Sequence, residues 1–434
     1  MQSVPAKNSS DIFFPRRENS PYQEFVTRGA TTSTMLLLTT TTAMMMVMMV
    51  VVIWATASTS DDAAVETYKK VLPCMKRSWM LKDVDISKWK YPLDAEAHYY
   101  EILNKTEKFR VTPVHYYADY GGPWIENIFI SENIKKPLSA FNGLIPIFVQ
   151  WIDTEIIQRS RVNNILAELN GVLRHDVLYV TVSQGDIGLR EIGRTHPNIL
   201  VLSAGGYGHV PIPLVRSEIS WSKQPEKFQQ EIGFFGAVHV TSHSSRPLIL
   251  DEVNSAVTRL NLTYRQGSGS SWMQDMNYTK FNLAPRGYGR SSFRFAESIQ
   301  MGRIPMFIYD DVPWIPYQGT DISVLTFGFV AKRSVNSYES DNALNDLSIY
   351  RTLEKIKNLP SAKYDRLLSN LEKVTHSLTH SLTHSLTHSL IQVRAYYTYP
   401  GVIGQINLFI KDPFGINGGY LRCINHPKTE RCCD

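Results

Sequence analysis

Cysteine is scarce, with four in 434 residues, too few for a fold built on disulfides. Net charge is scarce as well. The formal surplus is +5, small for this length and no sign of the concentrated basic face of a nucleic-acid binder. Acidic pairs spaced for a metal ion are nearly missing. The one Asp-x-Asp triplet, Asp83-Val-Asp85, falls in a stretch that reads as a solvated stem. Charge of either sign is absent altogether between Arg28 and Asp61. The bulk figures, 43% hydrophobic and 20% charged, are ordinary and exclude disorder over the whole length. A chain of 434 residues is long enough for two or three domains.

The uncharged gap contains the run Met35 to Trp54, rich in Leu, Met and Val. Twenty helical residues span about 30 Å, the thickness of a hydrocarbon core. Four threonines, Thr39 to Thr42, weaken its first half, and Trp54 stands where interfacial aromatics belong. Lys7, Arg16, Arg17 and Arg28 precede the run, and Asp61, Asp62 and Glu66 follow it. The positive-inside rule then places residues 1–30 in the cytosol as a tail, 31–59 as a signal anchor, and the rest in the lumen. Ala55-Thr-Ala57 resembles a cleavage site, so a removed signal peptide is the rival reading. The late start of the apolar run favours the anchor. A luminal address would open Asn104, Asn261 and Asn277, each in an Asn-x-Thr triplet, to glycosylation. It would also let Cys74, Cys423, Cys432 and Cys433 pair.

Residues 60–95 read as the stem. Beyond it, short apolar runs alternate with helical stretches. Leu144–Val149, Asp176–Val182 and Ile199–Leu202 read as strands, with a helix over Ile156–Leu169. A second series follows: a strand at Glu231–Gly236, a helix over Pro247–Leu260, a strand end at Lys280–Leu283, a helix over Ser292–Met301 stopped by Gly302, and a strand at Ile304–Tyr309. Buried strands separated by helices imply parallel sheets with both faces covered. The expected architecture is α/β with two Rossmann-like domains facing a cleft, over residues 96–225 and 226–434.

The densest chemistry lies in Phe281-Asn-Leu-Ala-Pro-Arg-Gly-Tyr-Gly-Arg-Ser-Ser-Phe-Arg-Phe-Ala-Glu297. A glycine loop leads into a helix N-terminus, whose N–H groups and dipole favour anions. Arg286, Arg290 and Arg294 add cations, Ser291 or Ser292 can cap the helix, and Arg294 and Glu297 share a face three residues apart. A diphosphate with a ribose suits this set, the arginines meeting phosphate oxygens and Glu297 a pair of sugar hydroxyls. A solvated Arg–Glu pair on a surface helix is the plainer alternative.

The same segment, with Ser298-Ile-Gln-Met-Gly-Arg-Ile-Pro305 and Asp310-Asp-Val-Pro-Trp-Ile-Pro-Tyr317, resembles the signature of exostosin-type glycosyltransferases. The resemblance is dense over 281–317 and sparse over 231–280 and 390–410. It implies a GT-B fold, with a nucleotide-sugar donor, of UDP type, in the C-terminal domain and a glycan or glycoprotein acceptor in the N-terminal one. It also implies a type II Golgi or ER protein, inversion at the anomeric carbon, and room for a homo- or hetero-oligomer with related transferases. Carried over by position, Arg294 would meet the diphosphate and Glu297 the ribose. Arg286, Gly287, Arg290 and Ser292 would line the loop. Arg246 resembles an upstream arginine of the family, although Pro247 departs from the usual pattern there.

No cofactor is expected, and no metal site, since the arginines and helix dipole can stabilise the leaving diphosphate. Asp310-Asp311 reads as a turn. Asp186, in the loop after the strand ending at Val182, is the first candidate for the base, with Asp119 and His209 behind it. Thr375-His-Ser-Leu repeats four times, to Leu390. A helix would align His376, His380, His384 and His388, a geometry able to bind metal, but tetrapeptide identity marks an expanded repeat, read as an insertion. Two other functions stay open: a non-catalytic exostosin-like subunit, and a membrane-anchored carbohydrate-binding protein.

Overall fold

The computed structural model describes residues 89–110, 123–158, 162–186, 188–189, 192–215, 218–220, 225, 227–238, 245–333, 347–372, 393–413 and 419–421. The expected tail, the anchor, Asp83, Asp85, Asp119, the 375–390 repeat and all four cysteines lie outside them. Among the described residues no helix is long and apolar enough to cross a membrane.

Helices α1 (Ala95–Thr106) and α2 (Ile125–Asn133) precede a first sheet of four strands: β1 (Ile145–Pro146), β2 (Tyr179–Ser183), β3 (Ile199–Ser203) and β4 (Val210–Pro211). The strands run parallel in the order β1-β2-β3-β4. Every residue of them is buried, the pattern of a sheet covered on both faces. Helices α3 (Trp151–Gln158) and α4 (Val162–Leu169) connect β1 to β2, and α5 (Ile192–Thr195) connects β2 to β3. The helix expected over 156–169 is therefore two, the first starting at Trp151. Trp89 is buried in the first core, and Lys90 N–H donates to the Asp176 carbonyl at 2.8 Å, so the chain just before α1 packs on this body.

The second sheet is built from β5 (Gln230–Phe235), β6 (Tyr264–Gly267), β7 (Thr279–Pro285), β8 (Ile304–Tyr309) and β9 (Phe329–Lys332). It is parallel, in the order β6-β5-β7-β8-β9. Its helices are α6 (Arg246–Leu260), α7 (Trp272–Asn277), α8 (Phe293–Gln300), α9 (Val324–Phe327), α10 (Ile349–Lys357) and α11 (Ser361–Glu372). Successive strand residues face opposite sides, and the cores divide accordingly. Leu283, Met306 and Ile308 pack with α6 and α10. Ala284, Phe307 and Tyr309 pack with Phe295 and Ile299 of α8, and that core is continuous with the first sheet.

The last helix, α12 (Tyr399–Lys411), returns to the first half. Val402, Ile406 and Phe409 join its core, and Asn142 Nδ2 donates to the Lys411 carbonyl at 2.9 Å. A tyrosine cluster secures the turn into α12. Buried Tyr317 donates its hydroxyl to the Tyr396 carbonyl at 2.7 Å, and Tyr397 to that of Ile322 at 3.0 Å.

Candidate functional site

In the second sheet the strand order reverses between β5 and β7, because the chain goes outward from β5 to β6 and returns on the other side. Loops leaving the carboxyl ends of two such strands diverge and leave a crevice where ligands bind in open α/β sheets. Gly236 and Ala237 leave β5 there, and Arg286 to Ser292 leave β7. The second loop ends at the N-terminus of α8. Ser292, at the N-cap position, has extended backbone and makes no side-chain cap bond. Its buried hydroxyl has no hydrogen-bond partner among the described residues. Ser291 is also unused as a cap, since its hydroxyl donates to the Ala204 carbonyl. The expected capping by one of these serines is absent, and a helix N-terminus with a buried free hydroxyl beside it stands where the β5 and β7 loops diverge.

Arg294 and Glu297 meet as their spacing implies, Nε to Oε2 at 2.7 Å, with Glu297 only 2% exposed. The Arg294 guanidinium lies 3.8 Å from the ring centre of Trp272. A side chain at Gly236 would come within 3.7 Å of the Arg294 Nε, which places this pair at the end of β5. Arg246 is buried and donates to three backbone carbonyls, those of Arg286, Ala237 and Pro285, at 3.0 to 3.3 Å. It thereby ties the β5 loop to the β7 loop. A side chain at Gly287 would meet Arg246 Nη2 at 3.2 Å.

Arg286 and Arg290 are engaged by the protein itself. Arg286 folds back on its own loop, donating to the Gly289 carbonyl at 2.9 Å and the Tyr288 carbonyl at 3.0 Å. Its Nη1 pairs with Asp310 at 2.7 Å and Asp311 at 2.8 Å. Arg290 pairs with Asp311 at 2.8 Å, donates to the Gly206 carbonyl at 3.0 Å, and lies 4.1 Å from the centre of the Tyr207 ring. Asp310-Asp311 is therefore the counter-charge of the glycine loop. Burial alone would raise the Asp310 carboxyl, but the Arg286 guanidinium beside it helps to hold it below its usual value. Among the described residues no cluster of three metal-ligating side chains occurs.

The glycine loop rests on the first half of the molecule. Arg290 N–H donates to the Gly205 carbonyl at 2.8 Å, and Trp314 Nε1 to that of Ser203 at 3.0 Å. Gly289 lies so close that a Cβ there would overlap the carbonyl oxygens of Asp186 and Gly205. Asp186 thus stands beside the loop of the second half, with an exposed side chain. His209 is placed otherwise. It is 1% exposed, and its Nδ1 accepts the Val201 N–H at 3.0 Å. Burial depresses its pKa to about 4, as expected of a group inside the core. Because the folded pKa lies below the unfolded one, this residue's stabilisation is complete above about pH 6.5 and is lost as pH falls towards 4, on the order of 3 kcal/mol. His209→Gln should flatten that part of the stability curve in denaturant titrations. An unchanged curve would assign it to another buried group such as His98, whose pKa burial also lowers.

Trp272, Tyr207 and the Asp310-Asp311 pairing escaped the sequence reading. The aromatics carry no motif, and only the fold brings them onto Arg294 and Arg290. Arginines that outnumber nearby carboxylates in sequence do signal that counter-charges come from elsewhere.

No family model matches the sequence, and no curated protein matches it. Solved structures similar to it include the GtfA/B complex, at 11% identity and a TM-score of 0.30, over 54% of this chain and 46% of that one. Another is the pneumococcal O-GlcNAc transferase GtfA in complex with UDP and GlcNAc, at 13% identity and a TM-score of 0.23, over 54% and 45%. The match spans less than half the length of either. Likeness at this level adds nothing to the parallel α/β architecture already described.

Proposed function

We propose that this chain is a glycosyltransferase of the exostosin type, anchored in the Golgi or ER membrane, that moves a sugar from a nucleotide donor to a glycan or glycoprotein. One observation carries the reading. The uncapped N-terminus of α8, the buried Ser292 hydroxyl and the Arg294–Glu297 pair coincide at the β5–β7 reversal. A diphosphate there would accept the α8 N–H groups and the Ser292 hydroxyl, with Arg294 as its counter-charge. Glu297 would accept ribose hydroxyls. Arg286, Arg290 and Arg246 would act as scaffold, fixing the loop that the phosphates touch.

In the inverting reaction the acceptor oxygen bonds to the anomeric carbon while the bond from that carbon to the diphosphate oxygen breaks. The electron pair leaves with the nucleoside diphosphate, whose growing charge the helix N-terminus and Arg294 stabilise. The acceptor proton passes to a base, a role we give to Asp186 on the exposed rim beside the glycine loop. The test is a thermal-shift screen of the purified full-length chain against UDP- and GDP-sugars. At least one donor should raise the melting temperature, and Glu297→Gln should abolish that rise while staying folded. If no donor produces a shift, or Glu297→Gln keeps it, the assignment fails.

A further inference from the structure

The first half contains a second carboxylate that motif reading passed over. Glu126, on the first turn of α2, is 1% exposed. Its Oε2 accepts the Gln184 N–H at 3.0 Å and its Oε1 the Ile152 N–H at 3.3 Å. One side chain thus holds both the loop leaving β2 and the first turn of α3. The bond is reciprocated. Gln184 Oε1 accepts the Ile125 N–H at 2.8 Å, and its Nε2 donates to the Val215 carbonyl at 2.6 Å. From Gln184 the chain passes to Gly185, whose carbonyl a Cβ on Gly205 would overlap, and then to Asp186, whose carbonyl lies against Gly289. A packed path therefore runs from Glu126 through the β2 loop to the glycine loop of the second half.

We infer that Glu126 is the positioning residue that sets the Gln184–Asp186 loop against Gly289 and so places Asp186 at the acceptor side. Burying a carboxyl without a cation is costly, and two backbone donors are the compensation this site supplies. The charged group that acts on it is Asp153 of α3, which adds to the rise that burial causes in its pKa and accepts from Trp124 Nε1 at 3.0 Å and Asn127 Nδ2 at 2.5 Å. Asp186 is a further acid, on the loop that Glu126 holds. Burial raises the Glu126 pKa to about 7. Opening the loop to water would return it to the ordinary carboxylate range, so the open form binds fewer protons. Rising pH then favours opening across the window from about 4.5 to about 7, and the loop is held best below about pH 4.5.

The test is hydrogen exchange of the full-length chain from below about pH 4.5 to above about pH 7, corrected for intrinsic rates. In the wild type, protection of segment 184–186 should fall as pH rises from about 4.5 to about 7 and level off above that. Glu126→Gln, whose amide can accept only one of the two N–H groups, should remove that titration, Asp153→Asn should keep it, and Glu126→Ala should remove it and speed exchange there about tenfold at the acidic end of the range. A titration that survives in Glu126→Gln, or unchanged exchange in Glu126→Ala, overturns the inference. The consequence for turnover rests on the proposed transferase reading. With a UDP-sugar that the chain turns over, Glu126→Gln should flatten the pH profile of kcat and leave the donor KM unchanged. Failure of turnover with every UDP-sugar would count against that reading, while the exchange result still decides the role of Glu126.

Discussion

Gly289→Ala should destabilise the protein by about 3 kcal/mol and abolish nucleotide binding, because the added methyl meets backbone on two sides. The carbonyl oxygens of Asp186 and Gly205 occupy the space where its Cβ would lie. Neither is the end of a flexible side chain, so the loop itself must move. Movement there would also disturb the Arg290 bonds to Gly205 and Gly206, which fasten the glycine loop to the first sheet. Gly205→Ala should behave alike, since its Cβ would overlap the Gly185 carbonyl. The control is Gly404→Ala, on the exposed side of α12 with open space around it. Removing a helical glycine there should stabilise by about 0.5–1 kcal/mol. Urea denaturation of the three variants measures both signs. Equal stabilities for Gly289→Ala and wild type would mean that the loop and first half are not in contact.

Arg294→Ala should cost about 3 kcal/mol, since it leaves Glu297, 2% exposed, without the guanidinium it now pairs with. The stacking over Trp272 would also be lost. The informative companion is the double variant Arg294→Met with Glu297→Leu. Replacing both members of a buried ion pair by apolar groups of similar size is often neutral or stabilising. The double variant should therefore recover most of the lost stability yet bind no nucleotide. A pair retained for folding alone would be fully replaceable. Recovery of both stability and binding would show that the pair is structural.

The second half was legible because its local signals agree. Ile304–Tyr309 is an unbroken apolar run between Gly302, at φ 72°, and the acidic pair Asp310-Asp311, and it forms β8 over those residues. The Arg294–Glu297 contact follows from helical spacing alone. The start of α3 was not legible, because Leu144–Val149 runs on to Trp151 and Ile152 with one polar residue between. Nothing in that stretch marks where strand ends and helix begins. The N-terminal partner of α3 is Glu126, from a helix distant in sequence. The partners of Arg286 and Arg290 were hidden for a related reason. Both were read as phosphate ligands from the glycine loop, but Asp310, Asp311, Gly206 and Tyr207 come from other loops and claim their donors. An arginine-rich motif shows that anions are to be met, while the fold decides which of them are the protein's own.

The central claim is that a nucleoside diphosphate binds where β5 and β7 diverge, against the N-terminus of α8. Hydrogen exchange of the full-length chain with saturating UDP or GDP tests it most directly. The account predicts slowed exchange concentrated in residues 286–297, and no such change in the Arg294→Met, Glu297→Leu double variant. Protection confined to another part of the chain, or a footprint on 286–297 that survives in the double variant, would contradict it.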